Sequence, residues 1–162
     1  MRFIPCLLVA VVVAACAPKD NTDAMADSAM MDTSAGETTE ARRAAMFAGT
    51  WEGRSYRTDS DSGVAWANVV TVDADGKANG SLTFKGSSMA PVAMRAMEMT
   101  DSSVVWEMGP YTSPTTKSEV TTRTEARVAG DSLWGTFEAT PTKGGDKIRG
   151  RISAKRTSPR AM

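Results

Sequence analysis

The clearest pattern in the chain is alternation. Val120, Thr122, Thr124, Ala126 and Val128 fall on one face of an extended segment, and Glu119, Thr121, Arg123, Glu125 and Arg127 on the other. Leu133, Gly135, Phe137 and Ala139 alternate in the same way with Trp134, Thr136, Glu138 and Thr140. Ile148, Gly150, Ile152 and Ala154 alternate with Arg149, Arg151, Ser153 and Lys155. A period of two puts one set of side chains in a core and the other in water, the signature of a half-buried strand. The same reading marks eight segments: Phe47–Arg57, Val64–Val72, Lys77–Phe84, Pro91–Met99, Ser103–Met108, Glu119–Val128, Ser132–Thr140 and Lys147–Arg156. Between them, Asp73-Ala74-Asp75-Gly76, Gly130-Asp131 and Gly144-Gly145-Asp146 supply residues that tolerate positive φ, as tight hairpins require. Short turns make neighbouring strands antiparallel, and a meander has two exposed edges unless it closes on itself. The pattern predicts an all-β domain over residues 46–157, an up-and-down antiparallel barrel of about eight strands, with a flexible tail over 158–162.

The chain before the barrel is built differently. Residues 17–45 are rich in Ala, Thr, Ser and Asp and lack aromatic and β-branched aliphatic side chains. Such a segment cannot bury enough apolar surface to offset its chain entropy, so it reads as a disordered tether with a typical reach of about 30 Å. Glu40–Phe47, at its far end, has the composition of a short helical turn.

Residues 1–15 have the three parts of a secretory signal. Arg2 supplies a positive charge, Phe3 to Val13 are nearly all apolar, and Ala14 and Ala15 are small. The apolar run is about a dozen residues, too short to cross ~30 Å of hydrocarbon. Val13-Ala14-Ala15-Cys16 resembles the lipobox of bacterial lipoproteins. The resemblance implies that Cys16 becomes the mature N-terminus and carries lipid, anchoring an exported protein to the cell envelope. Several acyl chains, at roughly 0.8 kcal/mol per buried CH₂, give near-permanent attachment. Ala17 in place of Asp points to the outer membrane rather than the inner one, in a host that has an outer membrane. Residues 16–45 then form the lipidated N-terminus and linker. With Cys6 in the signal and Cys16 lipidated, the folded part has no thiol left for a disulfide.

Composition narrows the chemistry further. The 162 residues include no histidine, and 19 basic residues balance 19 acidic ones. Without His the usual general base near neutral pH is missing. The carboxylates sit mostly in turns or at outward positions, so the expected role is non-catalytic and cofactor-free. Met89, Met94, Met97 and Met99 form a thioether-rich run that would suit Cu(I), but on a regular strand Met94 faces away from Met97 and Met99. Packing is the better account of these methionines. Asp59–Gly63 and Asp73–Gly76 lack the bidentate Glu of a calcium loop and read as hairpin turns. Lys147, Arg149, Arg151 and Lys155 make the last strand basic, which suits anionic headgroups, an acidic protein or simply cross-strand partners such as Glu138. Nucleic acid is not an expected partner of an exported lipoprotein.

The interior is the most informative candidate site. Val64, Trp66, Asn68, Val70 and Val72 share one face of the second segment. If that face points inward, Asn68 is a polar group in an apolar lining, flanked by Trp66 and Trp106, with Glu98 available from the fourth segment. The inner faces carry many small residues, which permits either a cavity or a narrow filled barrel. The fourth segment is apolar on both faces, so its register stays open.

Gly49-Thr50-Trp51 at the start of the first segment and the basic Ile148–Arg156 at the end resemble the calycin pattern of lipocalins, fatty-acid-binding proteins and avidins. That resemblance implies that Trp51 plugs the barrel floor and that Arg156, with Arg151 second, packs over it. It also implies binding of an apolar small molecule or lipid. The alternatives are an inhibitor-type barrel acting on a protein partner through Ser87-Ser88-Met89 or Gly109-Pro110-Tyr111, and a structural envelope lipoprotein with no specific ligand.

Overall fold

The computed structural model describes residues 38–158. The expected signal over 1–15, the lipidation site Cys16, most of the 16–45 linker and nearly all of the 158–162 tail lie outside these residues. The described part is one short helix and eight strands: α1 (Thr39–Phe47), β1 (Gly49–Tyr56), β2 (Val64–Val72), β3 (Ala78–Phe84), β4 (Val92–Met99), β5 (Ser103–Thr112), β6 (Glu119–Ala129), β7 (Ser132–Pro141) and β8 (Ile148–Arg156). Each strand pairs antiparallel with its sequence neighbour, and β8 pairs antiparallel with β1, closing the barrel in the order β1 to β8. Closure satisfies both edges, as the meander required.

The alternating residues face as the pattern dictates. Trp66, Asn68 and Val70 of β2, Thr122, Thr124, Ala126 and Val128 of β6, and Leu133 and Ala139 of β7 are buried. Large and small residues meet across the strands. Trp66 lies opposite Gly53, and a Cβ on Gly53 would sit 2.7 Å from the indole. Phe137 lies opposite Gly150, where an added Cβ would meet both the phenyl ring and the Tyr56 carbonyl oxygen. Glycine lets an aromatic ring lie across the strand, so eight strands coil tightly around two rings without a clash.

Two irregularities set the register that the sequence left open. In β4, Ala96 pairs with Trp106 and Glu98 with Val105, so Met97 is an extra residue in a bulge. After it, Met99 packs against the core, and Met97 and Glu98 both lie outside. In β5 the register shifts between Met108 and Tyr111, across the cis Gly109-Pro110 bond, and the strand continues to Thr112. Gly109-Pro110-Tyr111 is therefore strand rather than an interaction loop.

The helix closes one end. Thr38 caps it, its hydroxyl accepting from the Ala41 N–H at 3.1 Å. Ala44 and Phe47 are buried, and Ala41 packs on Gly76 of the β2–β3 turn. The short helical turn expected over Glu40–Phe47 is an α-helix over Thr39–Phe47, and it packs on the barrel although composition assigns residues up to 45 to the linker. Phe47 starts no strand, because it is the apolar plug at the end of α1.

Candidate functional site

The barrel has a sealed floor and an open mouth. At the floor, three carbonyls at the end of α1 lack helical partners, as at any helix C-terminus. The Trp51 indole N–H donates to the Phe47 carbonyl oxygen at 2.8 Å. Arg156 donates through Nη2 to the Met46 carbonyl oxygen at 2.8 Å and through Nη1 to that of Ala48. Its guanidinium lies 4.1 Å from the Trp51 ring centroid and also donates to Asp131 at 3.2 Å. A cation here faces the negative end of the helix dipole and an aromatic face together. Arg43 pairs with Asp101 at 2.9 Å, tying α1 to the β4–β5 turn.

One layer above the floor is a cavity of about 70 Å³. Trp66 and Asn68 of β2, Met94 of β4, Trp106 and Met108 of β5, and Thr122 and Thr124 of β6 form much of its wall. No charged side chain lines it. Asn68 is directly opposite Trp51 on one side and Leu82 on the other. Trp51 has committed its N–H to the helix and Leu82 has nothing to offer, so the Asn68 Oδ1 is buried with no hydrogen-bond partner. Among the described residues it is the one buried side-chain polar atom in this condition. Such an atom typically costs about 1–3 kcal/mol.

Toward the mouth, Ser55, Phe84, Tyr111 and Phe137 border both the cavity and a vestibule of about 230 Å³. Phe84 and Tyr111 stack at 5.6 Å between centroids. The Tyr111 hydroxyl lies 2.9 Å from that of Thr122. Burial pushes the Tyr111 phenol above its ordinary value, only partly offset by the Thr122 hydrogen bond, so the ring stays neutral. At the outer rim, the Asp61 carboxylate accepts from the backbone N–H groups of Gly63 at 2.9 Å and Arg57 at 3.2 Å. These bonds hold its acidity below the usual carboxylate range and fix the β1–β2 loop.

Of the candidate residues, Trp66, Asn68 and Trp106 converge on the cavity, and Glu98 does not. The Met97 bulge turns Glu98 outward, where its carboxylate lies 3.6 Å from Arg123. Met94 and Met108 face each other across β4 and β5 inside the barrel, while Met97 is 46% exposed. Among the described residues no three His, Cys, Asp or Glu side chains converge as metal ligands. The basic side chains of the last strand have local partners. Lys147 and Arg149 share Glu138, Arg151 pairs with Asp59, and Lys155 donates to the Ser132 hydroxyl. Those two cations, Lys147 first, hold the Glu138 carboxyl below its ordinary value.

Thr122 and Thr124 were inside by simple alternation, but as polar wall residues they drew no notice in the sequence. Tyr111 was missed because the sequence pattern ends the fifth segment at Met108 and reads Gly109-Pro110-Tyr111 as a loop, whereas β5 runs on to Thr112 after a register shift. The site belongs to a small closed barrel with one blind end. No family model, curated protein or solved structure matches the chain.

Proposed function

We propose that the protein is a lipid-anchored envelope protein whose barrel binds a small, largely apolar molecule without chemical conversion. The observation that carries the binding role is the blind cavity, walled by Trp66, Trp106 and the thioethers of Met94 and Met108, that widens into a vestibule at one end only. Apolar walls with a few convergent polar groups are what small-molecule sites share. Ser55, Asn68, Tyr111, Thr122 and Thr124 supply those groups. The anchoring role is supported by Val13-Ala14-Ala15-Cys16 following an apolar run.

Native mass spectrometry of the full chain, released gently from detergent, tests the binding role. A small molecule should accompany the protein, and Trp106→Leu should reduce its retention at least tenfold by reshaping the wall. Preparations that carry no extra mass and take up no apolar probe would refute it. The loop-mediated alternative then rests on Ser87-Ser88-Met89, in the β3–β4 loop at the mouth.

A further inference from the structure

The cavity does more than offer apolar volume, because its chemistry selects among apolar molecules. We infer that the barrel takes an uncharged ligand that presents one N–H or O–H donor to the Asn68 Oδ1, with its apolar body directed toward the mouth. The inference rests on the cavity-binding reading and adds the class of ligand to it.

Three observations carry it. First, Asn68 is 5% exposed, lines the cavity, and its Oδ1 has no partner in the protein. An amide oxygen is an acceptor only, so what completes it must be a donor. Second, none of the cavity wall is charged; the Arg156 guanidinium at the floor is engaged by the α1 carbonyls, Asp131 and the face of Trp51, and Arg57 lies out in the vestibule. A carboxylate brought to this depth would meet no cation, and burying an unpaired charge is far costlier than burying a neutral polar group. A long-chain acid entering carboxylate-first is therefore disfavoured. Third, the inner space of about 70 Å³ is smaller than the ~150 Å³ that accommodates a benzene ring in an apolar core. Only the head of a ligand fits beside Asn68. The rest must pass between Phe84, Tyr111 and Phe137 into the vestibule of about 230 Å³. Ring stacking against that trio favours a flat or aromatic body.

The test uses three probes of one shape on the full chain, each a phenyl ring on a three-carbon chain: 3-phenylpropan-1-ol, butylbenzene and 4-phenylbutanoate. Calorimetric titration should give the alcohol an affinity at least about tenfold above that of the hydrocarbon, the value of one buried hydrogen bond. The carboxylate should bind at least about tenfold more weakly than the alcohol. In Asn68→Leu the preference should vanish: the hydrocarbon binds at least as tightly as before, and the alcohol loses its advantage. The unliganded variant should also melt at a higher Tm, since a buried unpaired acceptor has gone. Equal affinity of the alcohol and the hydrocarbon for the unaltered chain would overturn the donor inference and leave the cavity reading standing. Failure of both neutral probes to bind would overturn the two together. A lower Tm for Asn68→Leu would assign the Oδ1 to a resident water and count against a ligand donor. The wild-type comparison decides the matter alone if the variant does not fold.

Discussion

At the scale of single residues, Arg156 is the most heavily committed side chain among the described residues. It holds two helix carbonyls, an aromatic face and Asp131, with its own side chain 4% exposed. Removing it leaves the Met46 and Ala48 carbonyls without those donors, so the cost should exceed that of an ordinary surface arginine. Arg156→Gln should lower the unfolding free energy by about 3 kcal/mol in urea titrations. Because the same contacts pin α1, amide exchange in residues 41–47 should accelerate more than exchange in β6. Equal acceleration throughout would mean that Arg156 stabilises only the sheet. Arg156→Lys keeps the charge but not the fork that spans two carbonyls, and should recover less than half of the loss.

At the scale of elements, the strands were legible because each has one wet and one dry face. β6, β7 and β8 could be read position by position, and their inward sets are the ones found. β4 resisted because Val92-Ala93-Met94-Arg95-Ala96-Met97 offers apolar side chains to both faces, and only pairing with β5 decides which of them is the bulge. Glu98 was misplaced for that reason alone. Tyr111 was lost differently: Gly109-Pro110 reads as the end of a strand, yet β5 carries both residues and continues to Thr112. The close packing of glycine under aromatic rings was equally invisible in the sequence, yet it makes a firm prediction. Gly150→Ala should destabilise the barrel by about 1–3 kcal/mol, measured by denaturant unfolding, because the new methyl meets the Phe137 ring and the Tyr56 carbonyl oxygen. Adding Phe137→Leu should restore only part of this, since the ring can yield and the backbone oxygen cannot.

For the whole molecule, the closed barrel was legible from alternation and turn chemistry, whereas residues 1–37, with most of the expected tether, lie outside the described residues. Among the described residues no helix is long and apolar enough to cross a membrane. The proposed attachment is through the Cys16 sulfur. Cys16→Ser should move the protein from the membrane fraction to the soluble fraction after cell lysis and leave the Tm of the barrel unchanged. Retention in the membrane would refute the lipid anchor. The seam between β1 and β8 has a further consequence, for the order of events during synthesis. The floor needs the helix from the beginning of the barrel and Arg156 from the very end of the last strand. A ribosome that has not yet released β8 holds a sheet with two open edges and an unfastened helix. The native state is thus withheld until the final strand is present, and a chain that ends before Arg156 lacks the donors that fasten the helix.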